Sequence, residues 1–255
     1  MSVHHIAVTG FGTEAAAYER GRPSYPPDAV AWLVDALGIA PGRTVADVAA
    51  GTGKFTRLLT PTGASIVAVE PVDGMRRQLA VAVPSAPAIA AAAEALPLAV
   101  ASLDAITVAQ AFHWFDAAAA LREFHRVLRP GGRVGLIWNA RDRSVAWVDA
   151  LWAIMDSVEK RAPSRDHDAW PASADVFGPW FTPLEQATFR NEQLLTRDEA
   201  LDRLRSVSHV AALPPEEQAR VLDRVRAVLD DDPATAGAEV VSLPYRVDAY
   251  WAERR

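Results

Sequence analysis

Val45-Ala46-Asp47-Val48-Ala49-Ala50-Gly51-Thr52-Gly53-Lys54-Phe55 is the stretch whose reading decides the fold. A β-branched and apolar run ends in an acid, two glycines follow, and Thr56-Arg57-Leu58-Leu59 continues as helix. That order spells strand, tight turn, helix start. Glycine has no Cβ to hold a ligand off the backbone, and a helix opening at the turn presents unpaired N–H groups to a polar or anionic ligand. The turn reads either as a nucleotide site or as a plain strand-to-helix connection.

Spacing separates the nucleotide classes. A phosphate-cradling loop needs Gly, four residues, then Gly-Lys-Ser/Thr; counting back from Gly53-Lys54 lands on Val48, and Phe55 follows the lysine, so both ends fail. The dinucleotide fingerprint needs a third glycine where Thr56 stands, which weakens that class without excluding it.

Composition narrows the field further. The chain has 255 residues, half of them apolar, enough for one large α/β domain or one with an inserted subdomain. A net charge of −6 argues against a nucleic-acid partner, whose affinity comes from clustered cations. With no cysteine there is no disulfide, thiolate nucleophile or cysteine-held metal. His4-His5 has no metal-site partner nearby, so no metal is expected. No basic, apolar leader opens the chain and no uncharged run approaches the roughly 18 to 20 residues that span a bilayer, so a cytoplasmic protein without a membrane partner is expected. Oligomeric state is not legible.

Working outward, residues 1–22 read as an arm with Phe11, Tyr18 and Tyr25 as aromatic anchors, followed by the turn-rich Gly21-Arg22-Pro23-Ser24-Tyr25-Pro26-Pro27. Asp28 is expected to cap a helix carrying Val30, Leu33, Val34 and Leu37, with Gly38 as its stop. Downstream, Ser65–Glu70 reads as a buried strand, Asp73 as the cap of the next helix, Ala88–Ala91 as a weakly signalled strand and Leu103–Val108 as a clear one. Asp116 caps a helix with Leu121, Phe124, His125 and Leu128 on one face, Pro130-Gly131-Gly132 ends it, and Arg133–Trp138 is a fifth strand. Alternating strands and helices predict a doubly wound parallel sheet. Beyond Asn139 come helices at 145–160, 197–207 and 215–229, a strand-like patch at 184–195 and a last strand at 240–247.

The run from Asp47 resembles the first motif of class I S-adenosylmethionine-dependent methyltransferases, an acid followed by three glycines at alternate positions, with Ala49 in place of the first. Gly21-Arg22-Pro23-Ser24-Tyr25-Pro26, Ala92-Ala93-Glu94-Ala95-Leu96-Pro97, His113-Trp114-Phe115 and Leu128-Arg129-Pro130-Gly131-Gly132 are similar, in order, to later and earlier motifs of a small-molecule subgroup that includes relatives of trans-aconitate methyltransferase. The resemblance implies a Rossmann-like fold: a doubly wound, seven-stranded, mostly parallel sheet with a helical insertion before the last strand. It divides the chain into an arm or lid (1–27), a cofactor-binding core (28–142) and a carboxy-terminal part (143–255).

The resemblance also implies S-adenosyl-L-methionine as cofactor, and Asp47, Ala49, Gly51, Gly53, Phe55, Glu70, Pro71, Met75, Ala93, Glu94 and Gln110 as its binding residues. Glu70, ending the second strand, is placed to accept from the ribose diol. Ala92 replaces the acid that the family uses on the adenine amino group, leaving adenine to backbone N–H groups and apolar contact. Tyr18, Arg22, Tyr25, Trp114 and Asn139 are the acceptor-side candidates, Tyr18 and Trp114 through cation–π attraction to the sulfonium. Arg22 either binds an acidic acceptor or anchors the arm by a salt bridge; Asn139, Arg141 and Asp142 either contact substrate or form a turn. A carboxylate acceptor needs no base, whereas an alcohol or carbon acid does, and His113 is the local choice, unless it only shapes the loop or closes over adenine. The expected activity is methyl transfer to a small-molecule acceptor such as a carboxylic acid. The alternatives are a nicotinamide-dependent oxidoreductase and a cofactor-binding relative without turnover.

Overall fold

Strand β1 (Thr44–Val48) lies inside the sheet, and its residues from Val45 to Val48 are all buried, as a parallel strand covered on both faces requires. It pairs in parallel with β2 (Ser65–Val69) on one side and β4 (Leu103–Ala109) on the other. The computed structural model describes residues 21–159, 174–205 and 207–255. Outside β2 lies the two-residue β3 (Ala88–Ile89), and outside β4 lies β5 (Leu128–Arg141), both parallel. β7 (Val240–Glu253) then enters antiparallel between β5 and the edge strand β6 (Glu185–Thr196). The order is β3-β2-β1-β4-β5-β7-β6, seven strands with one reversed, as the sequence predicts. The order of the strands turns back between β1 and β4, so the crevice for a ligand opens there, at the carboxyl ends of the strands.

Helices cover both faces. α1 (Pro27–Ala36) and α2 (Lys54–Leu59) pack Ala29, Leu33, Phe55 and Leu59 against Val45, Ile66, Ala105 and Ile137. On the other face α4 (Ala117–Val127) buries Leu121, Phe124 and Val127 against Val48, Ile106, Val108 and Leu136. Gly135 lets α1 lie close: a Cβ there would sit 2.7 Å from Leu37 Cδ1 and 2.9 Å from Leu33 Cδ1. α3 (Asp73–Ala82) connects β2 to β3.

The carboxy-terminal part has its own apolar cluster. α5 (Ala146–Glu159), α6 (Arg197–Arg205), α7 (Ser208–Ala211) and α8 (Pro215–Asp231) bring together Trp152, Leu204, Val210 and Val225 over Leu195 of β6 and Val241, Leu243 and Tyr245 of β7. The register pairs Tyr245 with both Arg141 and Asn191, so this cluster sits at the same carboxyl edge as the crevice. Among the described residues, no helix is long and apolar enough to cross a membrane.

Several local expectations are corrected. α1 starts one residue before Asp28, behind Pro26, and the Asp28 carboxylate accepts from the N–H of Ala29 within the first turn. Asp73 does not cap α3: it is the first residue of the helix, behind Val72, and its carboxylate pairs with Arg76 instead. Asp116 does cap α4, accepting from the N–H of Ala119 at 3.1 Å. Leu128 leaves the helix to open β5, which begins ahead of the Pro-Gly-Gly and is shifted against β4 between Leu103 and Ala105. The last strand runs six residues past Val247, because its ladder with β5 continues from Asn139 opposite Val247 to Arg133 opposite Glu253.

Candidate active site

The crevice is built on backbone that only a few residue types tolerate. Ala49, Gly51 and Gly53 all have left-handed φ, of 56°, 59° and 86°. The alternation of the glycine motif is therefore the alternation of the turn itself. Ala49 adopts this conformation with a Cβ, which costs about 1 to 2 kcal/mol. The two glycines do different things. A Cβ on Gly53 would lie 3.1 Å from Leu79 Cγ and Val83 Cγ2, so its bareness admits the α3 side rather than a ligand. A Cβ on Gly51 would meet only Met75 Sδ, at 3.8 Å, and would narrow the cleft between turn and α3.

Asp47, expected on the cofactor, lies beneath the turn with no exposed surface. Its carboxylate accepts from Thr56 Oγ1 at 2.6 Å and Thr107 Oγ1 at 2.8 Å, tying the turn to α2 and β4. Burial pushes this carboxyl up to about 6, against the pull of the two hydroxyls and the Thr56 N–H. Phe55 and Tyr25 are likewise structural: their rings meet edge to face at 5.2 Å inside the core, because α2 turns Phe55 toward α1 and away from the crevice.

Glu70 stands in the cleft. Its Oε2 accepts from the N–H of Gly51 and its Oε1 from the N–H of Val72, both at 2.8 Å. Burial raises its pKa, opposed by those two N–H groups and Arg76, while the Asp47 charge adds to the rise. Each carboxylate oxygen keeps a further lone pair for a hydroxyl. Pro71 follows it, half-buried, and Met75 is buried behind the turn. A carboxylate held at the end of β2, a turn bare at Gly51 and a soft thioether wall fit the diol and base of a nucleoside cofactor. Ala93 points into the core, and Glu94 is occupied elsewhere: its Oε1 accepts from the N–H of Asp116 at 2.9 Å, holding the start of α4.

On the far side of the crevice Gln110 has a left-handed φ of 60° and donates through Nε2 to the Asn139 carbonyl at 3.3 Å. His113 lies in the 3₁₀ turn Phe112–Trp114, its ring 4.9 Å from that of Trp114 and both its nitrogens shielded from solvent.

Residues 21–26 form a strap across this edge. Lys54 Nζ donates to the Arg22 carbonyl at 2.6 Å. Asn139 and Asn191 both donate to the Ser24 carbonyl, at 3.2 and 2.7 Å, and Asn191 also donates to Asn139 Oδ1 at 2.8 Å. Gln193 Nε2 donates to the Gly21 carbonyl at 3.4 Å. Of these clamps, sequence reasoning singled out only Asn139. Lys54, Asn191 and Gln193 carry no local signal, since their partners lie 32 to 172 positions away. Tyr18 lies outside the described residues.

Known proteins agree with this architecture. A family model described as a methyltransferase domain matches residues 46–136. An uncharacterised methyltransferase of Mycobacterium tuberculosis is 41% identical over 235 residues, 92% of this chain and 91% of that protein. Among solved structures, a protein of Anaeromyxobacter dehalogenans described as a type II methyltransferase superposes with a TM-score of 0.63 at 25% identity, covering 91% of this chain and 96% of that one. The fold is also that of an N-methyltransferase of Haemonchus contortus solved with phosphomonomethylethanolamine and S-adenosylhomocysteine, with a TM-score of 0.58 at 13% identity over 99% of this chain and 60% of the other. With the cleft at the switch point, the carboxylate ending β2 and relatives alike over nearly the whole length, the chain belongs to the class I S-adenosylmethionine-dependent methyltransferases.

Proposed function

We propose that this protein transfers a methyl group from S-adenosylmethionine, held on the Gly51 turn and Glu70, to a small-molecule acceptor entering beneath the strap. The observation that carries the reading is the Glu70 carboxylate, fixed between the N–H groups of Gly51 and Val72 with lone pairs left for a ribose diol. The bound cofactor supplies a sulfonium methyl that an acceptor lone pair displaces in line, the electron pair of the broken C–S bond staying on sulfur.

The chain's own task is to position and exclude water. Pro71 and Met75 frame the base-side wall, and Ala49 and Gly51 supply the floor. Gln110 and Asn139 are tied to each other at the acceptor side, and the strap closes over them through Lys54, Asn139, Asn191 and Gln193. This gives the residues around 21–27 the part of a lid and the helices after Asn139 the part of a roof. Trp114, in the turn after β4, would offer an aromatic face to a bound sulfonium. The shielded nitrogens of His113, packed on Trp114, favour a loop-shaping role over proton transfer, which suits an acceptor already ionised. A cytoplasmic location belongs to the same proposal and rests on the sequence expectation.

Calorimetric titration with S-adenosylhomocysteine, with NAD in parallel, tests it. Saturable binding of the thioether, weakened at least tenfold by Glu70→Ala, and no binding of NAD is the expected result. Binding of NAD alone, or affinity for the thioether unchanged in the variant, would overturn it.

A further inference from the structure

The strap over the crevice is held in different ways at its two sides. On the cofactor side it is attached to α2: Lys54 Nζ donates to the Arg22 carbonyl at 2.6 Å, and the Tyr25 ring meets the Phe55 ring edge to face at 5.2 Å. On the acceptor side its partners are neutral amides, Asn139 and Asn191 on the Ser24 carbonyl at 3.2 and 2.7 Å and Gln193 on the Gly21 carbonyl at 3.4 Å. A hydrogen bond from an ammonium is roughly twice as strong as one between neutral groups. The buried Tyr25 and Phe55 rings fix the base of the strap, which leaves Lys54 as the link from α2 to the part ahead of it. Pro23, Pro26 and Pro27 hold their own φ, so the segment moves as a stiff piece rather than bending. The strap hangs from α2 and is latched on β5 and β6.

The same short helix is the one into which the glycine turn opens. Lys54 is its first residue and follows directly on Gly53. Of the five residues ahead of Lys54, Ala49, Gly51 and Gly53 are left-handed, and the two glycines have wide access to other backbone angles. The Gly51 N–H is fixed to Glu70 Oε2 at 2.8 Å and the Gly53 N–H to the Ala50 carbonyl at 2.9 Å. Whatever settles the turn therefore settles where α2 begins and where the ammonium of Lys54 is presented.

We propose that Lys54 is a positioning residue that carries cofactor occupancy to the strap, so that the acceptor site is completed only once the cofactor is bound. The proposal rests on the methyl-transfer reading above and adds an order of binding to it. A ligand lying on the Gly51 turn and Glu70 removes backbone freedom from the turn. α2, six residues long, then holds the ammonium in one place, and the strap docks on it at a smaller cost in entropy. The docked strap sets the Ser24 carbonyl on Asn139, to which Gln110 is tied, and so closes the acceptor side. Linkage makes the effect reciprocal: by whatever factor the bound cofactor favours the docked strap, the docked strap tightens the cofactor. An acceptor that arrived first would meet an unroofed crevice still open to water, where the transfer is not protected.

The test is hydrogen exchange at the Gly21, Arg22, Ser24 and Tyr25 amides of the full chain, with and without saturating S-adenosylhomocysteine, alongside calorimetric affinity for that thioether, in wild type, Lys54→Met and Asn191→Ala. In the wild type the thioether should slow exchange in the strap at least fivefold. In Lys54→Met the slowing should fall below twofold, and the thioether should bind more weakly by about the factor of slowing that was lost. Asn191→Ala undoes a latch without touching α2, so it should accelerate exchange with and without the thioether alike and keep the slowing within twofold of wild type. A lysine that merely pinned the strap would change the exchange rate and leave its response to the ligand intact. Thioether binding with no slowing in the wild type, or slowing that survives Lys54→Met, would overturn the coupling and leave the methyl-transfer reading in place. Absence of thioether binding by the folded wild type would sink that reading and the coupling together.

Discussion

Asp47→Asn should stabilise this protein, and by more at pH 8 than at pH 5. The wild-type carboxyl is wholly buried and its pKa is raised from 3.8 to about 6, burial outweighing the two threonine hydroxyls and the Thr56 N–H. A folded-state pKa above the unfolded value means that the native state holds the proton longer. The associated stability is complete below the unfolded value near pH 4 and is lost as pH rises through about 6. The full loss is about 3 kcal/mol at 1.36 kcal/mol per pH unit, with about half of it falling between pH 5 and pH 8. Against a typical total stability of about 5 to 15 kcal/mol, that is large enough to measure. Asparagine keeps the shape, accepts from one neighbour through its oxygen and donates to a threonine hydroxyl through its nitrogen. Urea unfolding of both proteins at the two pH values gives the difference directly. With a slope of about 1 to 3 kcal/mol per molar urea, the gap between midpoints should widen by about 0.5 to 1.5 M on going from pH 5 to pH 8. Glu70 titrates in both proteins, and losing the Asp47 charge eases its ionisation, which widens the gap in the same sense. A gap that stays constant or narrows as pH rises would refute the reasoning, since it would mean that the hydroxyls already compensate the buried charge.

Two further perturbations probe the turn and the strap. Gly53→Ala should cost about 2 to 4 kcal/mol, from the left-handed φ of 86° and from a methyl 3.1 Å from Leu79 and Val83; a loss below about 1 kcal/mol by urea unfolding would show that α3 yields freely. Lys54→Met removes the charged donor to the Arg22 carbonyl, so amide exchange over residues 21–26 should accelerate while global stability changes by no more than about 1 to 3 kcal/mol. Exchange unchanged in that segment would mean that Asn139 and Asn191 hold the strap without it.

The fold was legible because its signals are local. Val45–Val48 and Ser65–Val69 read as strands from their own residues, Gly51 and Gly53 marked the turn between β1 and α2, and the reversed last strand came with the resemblance those motifs carry. Local reasoning failed where a nearby competitor took the partner. Asp73 turned out to be the first residue of its helix, and Arg76 takes the carboxylate that a cap would have used. The third strand was faint because alanine discriminates little between states, and only Ala88–Ile89 pairs.

At the site, the division follows how far apart in the chain the interacting groups lie. The sequence by itself determined the parallel sheet, the position of the crevice and the acid at the end of β2, since a strand, a glycine turn and a carboxylate are each written within a few consecutive residues. Only the tertiary structure decided that Asp47 sits under the turn, that Gly53 makes room for α3 and that Phe55 and Tyr25 belong to the core. It alone brought Asn191 and Gln193 to Ser24 and Gly21. Which side chain faces a ligand and which faces a neighbouring helix depends on burial and on partners up to 172 positions away, and no periodicity along the chain encodes that.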